Sequence, residues 1–165
     1  MKRIKILLIV FLGLLLVGCG EANVEKEEEQ IANPVNEVKA DYNLGETFRF
    51  MSFDVTVNNY ESIETIDKSM SSDNGKKVIK VPVEVKNTGD SNDHLSMFYY
   101  KLYDASNKEV NSKGSYYDDS LDYAKDLKPG EKYTKYLYIP YDGPGKYVIE
   151  FNNFSSKLKL VIEVK

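Results

Sequence analysis

Ile79-Lys80-Val81-Pro82-Val83-Glu84-Val85-Lys86 is the stretch that decides the fold. Apolar side chains occupy every second position, which is the period of a half-buried strand rather than a helix. The same alternation recurs on both sides of it. Phe48 and Phe50 alternate with Thr47 and Arg49, and Phe53, Val55 and Val57 continue the pattern. Tyr133, Lys135, Leu137 and Ile139 share one face of a later segment, while Tyr136 and Tyr138 take the other. Tyr147, Ile149 and Phe151, then Leu158, Leu160, Ile162 and Val164, complete the series. Residues 97–103 are a run of aromatic and aliphatic side chains with high β propensity. Turn signals separate these runs at Asp73-Asn74-Gly75, Asn87-Thr88-Gly89-Asp90, Pro129-Gly130 and Gly143-Pro144-Gly145, and Asn152-Asn153 precedes the last strand. Residues 115–128 are the least strand-like, with one helical turn expected around 121–125. Pro82 has no N–H to donate, so an edge or a bulge is expected there. Seven to eight short strands and no long helix predict an all-β antiparallel sandwich over residues 42–165.

Composition narrows the function classes. The 165 residues are 42% apolar and 29% charged, a globular balance. One Cys excludes an intramolecular disulfide framework and a Cys-based zinc site. One His excludes a metal site needing two imidazoles. A net charge of −4 gives no ground for nucleic-acid binding, which requires clustered cations against phosphate. No nucleophile elbow or comparable signature is present, so neither an enzyme nor a cofactor is expected.

The N-terminus carries a separate signal. Lys2, Arg3 and Lys5 precede an apolar run from Ile6 to Val17, too short to span a bilayer and of the length of a secretory h-region. It ends in Leu16-Val17-Gly18-Cys19, which resembles the lipobox of bacterial lipoproteins. The resemblance implies cleavage between Gly18 and Cys19 and a thioether-linked diacylglycerol on Cys19. Residues 1–18 would then be a signal peptide, and the mature chain would be held to the outer face of a membrane by two acyl chains. Removing three cations leaves 19 against 26 acids, a net of −7. That acidity disfavours attraction of the domain's own surface to anionic lipid heads. Residues 19–41 hold the acidic block Glu21, Glu25, Glu27, Glu28 and Glu29 and read as a solvated tether. The 22 residues after Cys19 reach about 70 Å when extended and about 25 Å as a coil.

Three segments of the domain carry a family resemblance. Val83-Glu84-Val85-Lys86-Asn87-Thr88-Gly89, then Leu102-Tyr103-Asp104-Ala105-Ser106-Asn107-Lys108, then Leu127-Lys128-Pro129-Gly130-Glu131 are similar in order and spacing to the telokin-like, Ig-like domain of unassigned function common in Gram-positive lipoproteins. Asn107 stands where that family's turn has Gly, and Asn tolerates the positive φ this requires. The resemblance implies an Ig-like sandwich on an extracellular, lipid-anchored protein, with no catalytic residues to carry over.

Within the domain, His94 reads as a solvated loop histidine. Asp118, Asp119 and Asp122 form the densest acidic group, a weak candidate for a hard cation. Tyrosine is the more informative residue. Because strand side chains alternate, Tyr136 and Tyr138 cannot share the core face with Tyr133 and Leu137. Together with Tyr116, Tyr117 and Tyr123 they form the expected interaction face, since tyrosine joins large contact area to a polar handle. Two function classes follow: a non-catalytic binding module for a protein or cell-wall polymer at the envelope, or a solute- or metal-binding envelope lipoprotein. A solid core with an exposed tyrosine patch favours the first, and a ligand-sized cleft favours the second.

Overall fold

The structure, a computed structural model, describes residues 41–153 and 156–165. The expected signal peptide and lipobox, Gly18 and Cys19 included, and all of the tether but Asp41 lie outside the described residues. No described helix is long and apolar enough to cross a membrane.

Among the described residues nine strands form two antiparallel sheets. They are β1 (Thr47–Phe50), β2 (Phe53–Val57), β3 (Ser62–Thr65), β4 (Lys77–Asn87), β5 (Tyr100–Tyr103), β6 (Glu109–Val110), β7 (Lys132–Pro140), β8 (Gly145–Asn153) and β9 (Ser156–Val164). One sheet is centred on β4, with β7 along one side. On the other side β2 pairs with its second half and β3 with its first, and β1 pairs with β2. The other sheet runs β6-β5-β8-β9. The alternation read from the sequence becomes the core. Val55, Val57, Ile79, Val81, Val83, Val85, Leu137 and Ile139 from one sheet meet Tyr147, Ile149, Phe151, Leu160 and Ile162 from the other, all buried. The rings of Phe48 and Phe50 meet Phe151 edge-on at 5.3 and 5.5 Å.

Several expectations need correcting. The strands among the described residues number nine rather than seven or eight, because β3 and the two-residue β6 have too little apolar alternation to announce themselves. The run 97–103 divides into a 3₁₀ turn, Met97–Tyr99, and β5. The helical turn expected around 121–125 is a 3₁₀ turn at Leu121–Tyr123. Pro82 does not mark an edge, for β4 is flanked on both sides. Its carbonyl accepts the Asn58 N–H at 3.0 Å. N–H and C=O of one residue point to the same side of an antiparallel strand. The missing donor therefore falls where the chain leaves β4 between β2 and β3, and no ladder bond is lost. Asn107 adopts φ 59°, as the turn required.

Candidate functional site

Period two sends Val78, Lys80, Pro82 and Glu84 of β4 to the outside of the larger sheet. The register sets Lys80 opposite Tyr138 and Pro82 opposite Tyr136. Residues 111–123 then run along the free edge of β7. The Lys113 N–H donates to the Tyr138 carbonyl at 2.8 Å, and the Tyr136 N–H donates to the Asp119 carbonyl at 3.1 Å. Both bonds occupy backbone groups that an edge strand would otherwise expose to pairing.

The segment can lie this close because Gly114 has no side chain. A Cβ there would collide with the hydroxyl of Ser120 and the carboxylate of Asp122. Thus folded, it lays the Tyr117 ring flat on Tyr138, 3.7 Å between centroids and 3° between planes. Tyr138 is only 1% exposed and forms a second small core with Ile66 and Val78, against which Tyr116, Tyr117 and Tyr136 pack. The Tyr117 hydroxyl is enclosed with no hydrogen-bond partner, a cost that the apolar area covered between the two rings offsets only in part.

Charges are threaded between the rings. The Lys80 ammonium lies 4.1 Å above the Tyr136 ring, 3.1 Å from Asp119 and 3.8 Å from Glu64. Desolvation works against its charge, and the Asp119 and Glu64 carboxylates outweigh it and raise its pKa. Tyr138 donates to Asp119 at 2.7 Å. Burial alone would raise the Asp119 pKa, but the hydrogen bonds from Tyr138 and Lys80 hold it below the usual carboxylate range. Burial, reinforced by Asp119, pushes the Tyr138 hydroxyl upward.

Beside the cluster lies a second network. Asp73, buried, accepts Lys113 Nζ at 2.7 Å, Lys76 Nζ at 2.8 Å and the Tyr116 hydroxyl at 3.0 Å. Ser71 Oγ is also 2.6 Å from that hydroxyl. The bond from Lys113, then that from Lys76, hold the Asp73 carboxyl well below its ordinary value. A lowered folded-state pKa contributes stability above the unfolded carboxylate value of about 3.9, lost as pH falls through the folded value. Acidification from pH 6 toward pH 2 is therefore expected to lower the urea midpoint of wild type more than that of Asp73→Asn. Parallel midpoint-against-pH curves for the two proteins would show that the network contributes nothing.

Of the five tyrosines expected to line one exposed face, Tyr116, Tyr117, Tyr136 and Tyr138 come together. Tyr138 is the floor of the group rather than a contact residue, because Tyr117 covers it. Tyr123 is 59% exposed in its 3₁₀ turn and lies outside the cluster. The aspartates diverge. Asp119 turns to Tyr138 and Lys80, Asp122 accepts the Tyr100 hydroxyl at 2.6 Å, and Asp118 offers Lys135 its backbone carbonyl. Among the described residues no group of three or more His, Cys, Asp or Glu converges for a metal ion. His94 pairs with Asp126 at 2.9 Å in an exposed loop. Lys80, Glu64, Asp73 and Lys113 are the members that sequence reading missed. The one available signal was Lys80, set outward on the most apolar strand and therefore in need of a partner there.

A family model described as a domain of unknown function (DUF4352) matches residues 42–157. No curated protein matches the chain. Among solved structures, the yjhA protein of Bacillus subtilis is similar at 16% identity and a TM-score of 0.54, over 75% of this chain and 99% of that one. The secreted protein MPT63 of Mycobacterium tuberculosis is similar at 14% identity and 0.51, over 74% of this chain and 95% of that one. The ycdA protein of Bacillus subtilis, a candidate lipoprotein, is similar at 15% identity and 0.50, over 72% of this chain but 38% of its own length. At these identities the likeness is one of fold.

Proposed function

The chain belongs to the DUF4352 family, and on that premise we propose that it is a lipid-anchored envelope protein whose sandwich is a non-catalytic binding module. The observation that carries the reading is the outer face of the larger sheet. There the half-exposed rings of Tyr116, Tyr117 and Tyr136 stand on a rigid floor and are interleaved with Lys80, Asp119 and Glu64. Rings stack on sugars or apolar side chains, and fixed charges supply hydrogen bonds, so the face suits a cell-wall polymer or a protein with exposed polar groups. The space between the sheets is filled by side chains, which favours a surface binder over a carrier of enclosed solutes. The ycdA protein is a fold neighbour consistent with attachment through Cys19.

Two variants test the two halves of the reading. Cys19→Ser is expected to abolish lipid labelling and to release the protein from the membrane fraction or leave it unprocessed. Unchanged labelling and fractionation would end the anchoring half. Tyr136→Ala is expected to weaken retention of purified cell-wall polymer or of an isolated envelope partner about thirtyfold, whereas Tyr123→Ala changes it little. Equal retention by both variants and wild type would remove the outer face from consideration.

A further inference from the structure

We infer that the end of the sandwich at which the chain enters is a membrane-docking tip, with Phe98, Met97 and Met51 seated in the outer surface of the bilayer that holds Cys19; this rests on the anchoring just proposed. Asp41 forms a parallel bridge with Lys159, and the Tyr42 N–H donates to the Lys159 carbonyl at 3.4 Å. Asp41 thus runs in the direction of β9 and close to its start at Ser156. The chain therefore arrives from the end of the sandwich where β8 finishes and β9 begins.

The same end carries large apolar side chains in water. Phe98 is 88% exposed, Met97 51% and Met51 44%, three of the seven large exposed hydrophobics among the described residues. Phe98 and Tyr99 lie beside Asn152 and Asn153 at the finish of β8. Ser96 caps the Met97–Tyr99 turn, its hydroxyl accepting the Phe98 N–H. Tyr99 turns inward to meet Phe50 at 6.1 Å, edge to face, which leaves Phe98 pointing out. That contact also brings the Met51 turn to this end of the sandwich.

Met51 breaks a local rule. Phe50 pairs with Phe53, so Met51 and Ser52 are the two-residue link of a hairpin, and Met51 sits at φ 54°. Asn or Gly fits that left-handed position without strain. Met51 is 44% exposed, so packing within the domain compensates it only in part, and such breaks of a local rule gather at functional sites.

The surroundings suit lipid headgroups. Ser52, Ser96, Asn152 and Asn153 are uncharged, Arg49 and Asp54 beside the Met51 turn neutralise each other at 2.7 Å, and the charges bordering them are one of each sign, Asp93, which accepts the Ser52 hydroxyl at 3.0 Å, and Lys157 opposite Asn152. The acidity of the whole domain, which argues against attraction to anionic lipids, is not opposed here, because the contact is apolar and small. The anchor supplies the local concentration that so small a contact lacks by itself. The 22 residues after Cys19 span at most about 70 Å, which bounds how far the tip stands from the surface.

The chain contains no Trp, so single-tryptophan variants report position without interference. Phe98→Trp probes the tip. Met70→Trp, fully exposed in the loop before β4 at the opposite end, is the control. Each is made in the mature lipidated protein, placed in vesicles of equal parts phosphatidylcholine and phosphatidylglycerol, and read by emission wavelength and by quenching from brominated acyl chains. Mass spectrometry of Cys19 is run on the same samples. A blue-shifted, quenched Phe98→Trp beside an unquenched Met70→Trp, unaltered by added salt, is the expected result. Lipidated protein with Phe98→Trp still water-like overturns the tip alone and leaves the anchor standing, with the patch then assigned to a protein or a second copy. Absence of lipid on Cys19 overturns both.

Discussion

Replacing Asn87 by alanine is expected to lower the free energy of unfolding by about 2–3 kcal/mol, the penalty for one buried and two part-buried polar groups left without their partner. Asn87 is the last residue of β4 and has no exposure. Its Nδ2 donates to the carbonyls of Ser91 at 2.7 Å and Leu127 at 2.8 Å, and its Oδ1 accepts the Gly89 N–H at 2.8 Å. Its backbone exchanges bonds with Glu131 and Gly130. One side chain therefore ties the end of β4 to the two loops that cross this end of the sandwich. Such a loss is a large part of the roughly 5–15 kcal/mol that a domain possesses. Urea denaturation checks it as a lowered midpoint at unchanged slope. Asn87→Asp sharpens the test, because it keeps the shape and sets a carboxylate against two carbonyls. Burial beside those carbonyls raises the folded-state pKa of the new acid. Its destabilisation is then absent well below the unfolded value of about 3.9 and grows as pH rises through the folded value. The gap to wild type is expected to be wider at pH 7 than at pH 3. An alanine variant within about 0.5 kcal/mol of wild type, the range of ordinary surface changes, would show that Asn87 is no staple.

Asn87 also illustrates how far the sequence could be read. Asn-Thr-Gly after a valine strand was legible as the end of that strand, since turn chemistry is local. That the Asn side chain points inward to Leu127, forty positions on, was not, because its partners are backbone carbonyls and any residue supplies one. The same division holds elsewhere. Period two placed Val81, Val83 and Leu137 in the core and turned Tyr136 and Tyr138 away from it, because alternation is a property of one strand. It did not disclose that residues 111–123 would fold back over Tyr138. That depends on Gly114 allowing a close approach and on Asp119 meeting Lys80, neither of which leaves a periodic trace. The run 97–103 misled for a related reason: propensity treats Phe98 and Tyr100 alike, whereas Tyr100 is buried and Phe98 projects into solvent.

Tyr138→Ala is expected to cost about 3–5 kcal/mol, the usual range for truncating a buried aromatic ring. Tyr138→Phe is expected to cost about 1.5 kcal/mol, the low end for one hydrogen bond to a charged group, since the Asp119 carboxylate is partly exposed. The difference follows from what each change leaves behind. Phenylalanine keeps the 3.7 Å stack with Tyr117 and the contacts with Ile66 and Val78, and Asp119 retains Lys80 at 3.1 Å. Alanine removes the floor beneath Tyr117, and the ring must then either tilt into the hole or stand in water. The backbone bonds of residues 111–123 to β7 lie at an edge and lack the support of a buried ring once Tyr138 is gone. Hydrogen exchange at Tyr136 N–H, Lys113 N–H and Tyr117 N–H is therefore expected to accelerate in Tyr138→Ala beyond the change in the core strands β8 and β9, and to stay near wild type in Tyr138→Phe. If the alanine variant instead loses protection uniformly, the segment is not a separate unit held by Tyr138. If the phenylalanine variant matches alanine, the hydroxyl bond to Asp119 rather than the ring carries the face. Acid provides an independent check. Asp119 has a lowered pKa, so its contribution is present above about 3.9 and lost as pH falls below that value. Protection of the Tyr136 N–H, whose acceptor is the Asp119 carbonyl, should then decline on acidification before that of β8 and β9 does. The binding face and the outer layer that presents it would loosen together, because Tyr138 is the largest side chain of the floor that Tyr116, Tyr117 and Tyr136 share with Ile66 and Val78.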